Sequence, residues 1–355
     1  MTKTPVRKKL VTLRFMMDYE LFKEIVVENI KEFLPEEFKD YRIKLNMIQK
    51  VNQTRECINL IPVEGGAMQT SPNFYVEDMH KLYVQSGDLQ EVLKNIAGKM
   101  AEAIRNTPDV KKLLDYEKAG EQIILGLVNT GQNREMLRDM PHREFNDLSI
   151  VYRWLLEPQK EGNYSIPVND AVAEQLGMDE EALYTAAVEN TRHLLPPAIK
   201  GMSEVLREVM INEGMPEEMA DMFAGPAPEV DVMYVISNSS RTHGAACILY
   251  DEVLQEMAGI IGNDIYILPS SIHEVIAVAA DRDPYAYAEM VNDINMTQVD
   301  IEERLSNQIY HYDRNLRKLS MATDTPNKQL DGEPVGAARA DAERECLAAG
   351  ERQYR

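Results

Sequence analysis

Three of the six histidines sit in short polar knots just ahead of apolar runs. They are His142 in MPHREFNDL, His243 in SRTHGAACIL and His273 in SSIHEVIAV. Each has charged neighbours: Arg143 and Glu144, Arg241, and Glu274. An imidazole moves a proton near neutral pH, a carboxylate orients it, and a guanidinium holds an anion. If the three knots met at one edge of a sheet, they would form an acid–base site suited to a hydrolase-type reaction. Three imidazoles together would instead suit zinc. The plainer reading is that each histidine begins a strand and hydrogen-bonds the adjoining turn. Ser271 and His273 lie two residues apart on an extended segment and so share a face. A serine nucleophile also needs an orienting acid and an oxyanion hole, and the sequence marks neither, which favours a turn serine.

The familiar catalytic signatures are missing. There is no GxxxxGK[ST] or GxGxxG loop to cradle a phosphate. HExxH fails because Ala277 stands four residues after His273. GxSxG and the calcium-binding Asp-x-Asp-x-Asp-Gly loop do not occur. The three cysteines, Cys57, Cys247 and Cys346, are widely spaced; reduced thiols are expected, and Cys247 reads as core. Trp154 also reads as core. No cofactor and no resident metal follow from these patterns.

Net charge is −21 over 355 residues. Such a surface repels phosphate backbones, so nucleic acid is a disfavoured partner. Residues 1–50 run the other way, with 11 Lys and Arg against 8 Asp and Glu, but VRKKL at 6–10 is a short basic stretch. No apolar run approaches the roughly 20 residues of a membrane span. The start lacks the apolar core of a secretory signal, so the expected location is cytoplasmic.

The elements that must position these residues follow from periodicity. Apolar spacing predicts helices over 18–35, 87–106, 179–197, 251–262 and 283–295, with Asp88 and Asp283 as caps. Alternation of Ile43, Leu45 and Met47 predicts a half-buried strand at 41–50, paired with 56–63 through a polar turn. Residues 121–130 read as a strand. Residues 145–157 read as a strand too, although the apolar run is dense enough for a buried helix. Further strands are expected at 231–237, 245–250, 264–268 and 274–280. The C-terminal half then reads β-β-α-β-β-α. That order implies an α+β fold, with a largely antiparallel or mixed sheet and helices on one face.

Three regions are expected: an N-terminal α+β lobe over 1–130, a C-terminal α+β lobe over 131–315, and a disordered tail over 316–355. Residues 214–229, GMPEEMADMFAGPAPE, break the rhythm of the second lobe. They read as an insertion with a short helix, whose methionines either dock a partner or tuck against the body.

DMPHREFNDLSIVYRWLLE (139–157), ENTRHLLPP (189–197), HGAACILYDEVLQEMA (243–258), YILPSSIHEVI (266–276) and VNDINMTQV (291–299) together resemble a bacterial family known as domain of unknown function 5688. The likeness is collinear over roughly residues 20–315. It implies a bacterial cytosolic protein and brings no activity or catalytic residue with it. The sequence thus points first to a protein that binds a partner protein through 214–229. It points second to an unrecognised hydrolase-type enzyme, with candidate residues His273, Glu274, His243, Arg241, His142, Arg143 and Ser271.

Overall fold

Asp18 accepts a hydrogen bond from the Leu21 N–H at 2.9 Å and so caps the first helix, α1 (Tyr19–Phe33). The computed structural model describes residues 17–63, 71–106, 116–156, 165–224, 232–269 and 271–324. The basic stretch at 6–10, Ser270, most of the tail and Cys346 lie outside the described residues. The chain divides into two units, Met1–Ile48 with Arg55–Lys111, and Gln49–Thr54 with Lys112–Arg355.

In the first unit, β1 (Arg42–Lys50), β2 (Gln53–Ile61) and β3 (Phe74–Tyr75) form a sheet in that order. Helices α2 (Val76–Ser86) and α3 (Leu89–Asn106) follow. Phe22, Val26 and Ile30 of α1 pack with Met79 and Tyr83, with Val92, Ile96 and Met100, and with Ile58 and Leu60 of β2. Burying that apolar surface is what holds the unit together. Leu45 and Met47 depart from the expected half-buried face and are exposed. The side chain of Asn46 turns inward to Asn59 Oδ1 at 2.7 Å, which shifts the parity of the strand.

In the second unit, β4 (Ile123–Asn129), β5 (His142–Phe145), β6 (Leu148–Leu155) and β7 (Ser165–Pro167) form an antiparallel sheet. β6 pairs with β4 along one edge, from Ile123↔Trp154 to Asn129↔Leu148. It pairs with β5 and β7 along the other. The dense run at 145–157 is therefore a strand rather than a helix. Helices α4 (Asp170–Leu176) and α5 (Glu180–Leu194) follow, each capped by the preceding Asn169 or Asp179.

A six-stranded sheet takes in the rest. Along the chain come β8 (Pro197–Gly201), α6 (Met202–Asn212), α7 (Glu217–Ala224) and β9 (Tyr234–Asn238). After them come α8 (Asp251–Ile261), β10 (Ile265–Leu268), β11 (Val275–Ala279), α9 (Pro284–Thr297), β12 (Tyr310–Asp313) and β13 (Lys318–Met321). The strand order is β13-β12-β10-β11-β9-β8, and each adjacent pair is antiparallel.

The α+β class holds, with four differences in detail. Residues 245–250 are not a strand but a 3₁₀ helix, Gly244–Leu249, with Ala245, Ala246, Cys247 and Ile248 all buried. A segment apolar on every side fits a buried turn of helix as well as a strand, so alternation gave no guidance. Helices cover both faces of the six-stranded sheet rather than one. Val253, Leu254 and Met257 of α8 pack with Val275 and Ala277, whereas Ala288 and Val291 of α9 pack with Leu268 and Val278. The unbroken apolar run of β11 is what a strand buried on both faces requires. Residues 318–321, inside the stretch expected to be disordered, pair with β12. Finally, the short helix of the 214–229 insertion is tied to α6, because Arg207 pairs with both Glu217 and Asp221. Its Met219 and Met222 are exposed rather than tucked in. No helix among the described residues is long and apolar enough to cross a membrane.

Candidate functional site

Asn238 ends β9 and is nearly buried. Its Oδ1 accepts from the N–H groups of Ser240 at 3.1 Å and Thr242 at 3.2 Å, and its Nδ2 donates to Thr242 O at 2.8 Å. These bonds fold residues 239–243 into a tight loop. Arg241 and His243 both take left-handed backbone conformations, at φ 53° and 54°. For a residue with a Cβ this costs roughly 1–2 kcal/mol, and such strain gathers at functional sites. Gly244 follows, and there the backbone runs against Ser237 Oγ, His273 O and Asn238 N.

This loop meets the foot of β11. The His243 N–H donates to His273 Nδ1 at 3.2 Å, so the proton of a neutral His273 sits on Nε2. That nitrogen lies 3.6 Å from Glu303 Oε1, too far for a hydrogen bond but close enough for a charge pair once the ring is protonated. The His273 N–H donates to Ser271 Oγ at 3.0 Å, and Ser237 Oγ donates to His273 O at 2.8 Å. His273 is thereby fixed on three sides. The His243 ring lies beside it, with ring centroids 5.7 Å apart. His243 is partly exposed, and its ring makes no hydrogen bond to any described residue. Burial, then the charge of Arg153, then His273 hold its proton affinity well below the usual imidazole range. At neutral pH it is an uncharged, unengaged base.

The other candidates make their own contacts. Glu274 and Arg241 line an open cleft with Lys200, Ser237 and Asn238, and Glu208 bridges Lys200 and Arg241. Ser271 spends its hydroxyl on a backbone N–H rather than on the His273 ring. His142 bonds Met140 O at 2.8 Å through Nδ1. Arg143 forks onto Glu180 at 3.1 and 2.8 Å, reaches Glu181 at 2.8 Å, and stacks on Tyr184 at 3.8 Å. Tyr152 donates to the same Glu180, whose pKa is lowered chiefly by Arg143. None of the partners of His142 and Arg143 is a hydrogen-bond partner of His243 or His273. Two of the three histidine knots meet, and the third has its own ion-pair cluster. Among the described residues no group of three or more His, Cys, Asp or Glu side chains is placed to hold a metal ion, so the three-histidine zinc site does not form. Burial pushes the Cys247 thiol up to about 12, which leaves it inert.

A family model described as a family of unknown function, DUF5688, matches residues 19–314. The chain belongs to the DUF5688 family. No curated protein and no solved structure matches it. In this DUF5688 chain the matched span contains His243, His273 and two neighbours that sequence reasoning passed over. Glu303 sits in IEERL, where nothing sets one carboxylate apart from the next. Arg153 did leave a signal, as the lone cation inside the apolar strand VYRWL.

The depressed proton affinity of His243 has a measurable consequence. An unfolded imidazole titrates near 6.5, while the folded ring resists the proton. The unfolded state therefore binds more protons below about pH 6.5, and stability falls as pH drops through that point. Replacing His243 by Gln is expected to flatten this acid limb, as read from urea midpoints between about pH 7.5 and 5. An unchanged limb would place the acid sensitivity in other groups.

Proposed function

We propose that this chain is a hydrolase-type enzyme in which His243 is the general base. The observation that carries the reading is a neutral, partly exposed imidazole with no described hydrogen-bond partner, held in a strained backbone. His243 accepts a proton from the attacking water. His273 is a positioning residue, since its Nδ1 fixes the His243 backbone and Glu303 faces its Nε2. Glu274 and Arg241 line the neighbouring cleft and are assigned no proton transfer. The reading keeps the expected bacterial cytosolic setting, where the buried thiols of Cys57 and Cys247 stay reduced.

The test is turnover of a panel of chromogenic esters and phosphomonoesters. The wild type is expected to turn over at least one, with rates that hold through the ordinary imidazole range and fall only at lower pH, because the His243 pKa is lowered. His243→Gln is expected to lose roughly 10²–10⁴-fold, the usual worth of a general base. Equal rates in both proteins, or no turnover of any substrate, would remove the reading.

A second reading, docking of a partner protein, draws on α7. Met222 is 72% and Phe223 62% exposed there, beside the carboxylates of Glu217, Glu218 and Asp221. A partner would need an apolar groove with a basic rim. Replacing Met222 and Phe223 by Glu is expected to abolish a salt-sensitive complex without changing the circular dichroism. A complex that survives the double change would rule this surface out.

A further inference from the structure

The register of the six-stranded sheet builds one cleft. β8 pairs with β9 so that Ala198 stands opposite Ser237 and Lys200 opposite Val235. β11 pairs with β9 on its other side, with Ile276 opposite Val235. Directly opposed residues share a face of a sheet, and so do alternate residues of one strand. Glu274, two residues before Ile276, continues that face at the foot of β11. Lys200, Ser237 and Glu274 line the resulting cleft together with Arg241, and Ala198, Val235 and Val205 of α6 give it apolar wall. Its volume is about 100 Å³, well below the roughly 300 Å³ at which pockets for drug-sized ligands begin. The ligand that fits is small.

The charges of the cleft are sorted by side. Glu208 of α6 accepts from both Lys200 and Arg241, which gathers the two cations together. Arg241 uses Nη2 for that bond, and a guanidinium carries five N–H donors in a planar fork, so donors remain for a second oxyanion. The loop that carries Arg241 is fixed by Asn238 Oδ1, which accepts from the Ser240 and Thr242 N–H groups. Glu274 stands across from β8, and its backbone is held where its carbonyl accepts from the Ser271 N–H at 3.1 Å. β8 and β11 flank β9, so they lie two strand spacings apart, roughly 10 Å. A ligand carrying only negative charge would meet Glu274 in this cleft, and one carrying only positive charge would meet Lys200 and Arg241. A ligand of both signs complements both sides.

We propose that the cleft binds a small zwitterion of the amino-acid class, with its carboxylate on the Arg241 fork and its primary ammonium on Glu274. The apolar wall takes the short aliphatic part between them. The inference goes beyond the reading of His243 as a base and stands without it, because it concerns binding and is measured without turnover.

The test titrates the labelled full chain with glycine and, separately, β-alanine, and follows the backbone amide resonances of Ser239 and Arg241. Sodium acetate and methylammonium chloride at matched ionic strength supply the two halves of the ligand. At least one amino acid is expected to shift both resonances saturably, with a Kd about tenfold or more below that of either half, the worth of one charge-assisted hydrogen bond. The tighter of the two reports the charge separation that the cleft prefers. Glu274→Gln keeps the shape of the side chain and is expected to raise the amino-acid Kd about tenfold or more while acetate binds no more weakly. Arg241→Gln is expected to raise it as much and to abolish the acetate response. Arg241→Gln also breaks the pair with Glu208, so Glu274→Gln is the deciding variant, with its urea midpoint as the check on folding. Absence of a saturable shift with both amino acids would overturn the proposal. So would acetate or methylammonium binding as tightly as the amino acids, or a Glu274→Gln protein with the wild-type Kd.

Discussion

Replacing Gly244 by alanine is expected to cost about 3 kcal/mol of stability, the upper part of the range for forcing a methyl into a packed site. The new Cβ would fall on Ser237 Oγ and His273 O and stand 2.8 Å from Asn238 N. Two of those three atoms are backbone, so no rotamer change relieves the clash. The segments that must part are the ones that join the two histidines. Ser237 Oγ would lose its bond to His273 O, and the His243 N–H would draw away from His273 Nδ1. Gly259 supplies the control. It lies in α8, where an added methyl would meet nothing within 4 Å, and alanine there is expected to add roughly 0.5–1 kcal/mol. Urea melts of both variants decide the matter. A Gly244→Ala protein as stable as the wild type would mean that the close packing of this loop on β11 is not required.

The second large effect is expected at Asn52. Its N–H donates to Asn133 Oδ1 at 2.7 Å, and its Oδ1 accepts from Asn133 Nδ2 at 2.8 Å. Its own Nδ2 donates to the carbonyls of Ile301 and Arg304, both at 2.7 Å. All of this is packed around a residue only 3% exposed, in a left-handed conformation at φ 61°. Asn52→Ala removes three side-chain bonds and places a Cβ-bearing residue without asparagine's local tolerance in that conformation. The expected cost is about 3–4 kcal/mol, given roughly 1 kcal/mol or more for each buried group left unpaired and about 1 for the backbone. Asn52→Gly keeps the backbone cost out, so the difference between the two variants reads it directly. The effect also reaches the site. The carbonyls held by Asn52 flank Glu303, and Glu303 O accepts from Ile272 N–H at 2.8 Å. Freeing that loop is expected to move Glu303 away from His273, which a shift in the His273 ring resonances would report. A normal melting point for Asn52→Ala would refute the pinning role.

Capped, amphipathic helices were legible because their signals are local. Asp18, Asp88, Asp179 and Asp283 each accept a bond from a first-turn N–H, and Gly262 ends α8 at φ 80°. Helix α2 escaped notice because the residue before it, Tyr75, provides no side-chain cap, and VEDMHKLYVQS mixes charged residues among its apolar ones. β12 and β13 are four residues each, too short for alternation to register. The meeting of His243 with His273 was visible only as a shared character of two knots. What joins them is backbone packing at Gly244 and a bond between an N–H and a ring nitrogen, neither of which a residue type encodes. Glu274 stood beside His273 in the chain and was the natural partner to expect. The partner turned out to be Glu303, delivered by a loop thirty residues on.

The bonds of Asn52 also set a timetable. Asn133 is 81 residues downstream, whereas Arg304 is 252 residues downstream. Synthesis at roughly 5–20 residues per second separates Asn52 from its last acceptor by about 10–50 s. During that interval the two asparagine side chains can already pair with each other, while the Nδ2 donors of Asn52 remain hydrated. The loop that carries Glu303 therefore arrives at a partner already in position, and the charge beside His273 is among the last contacts the nascent chain completes.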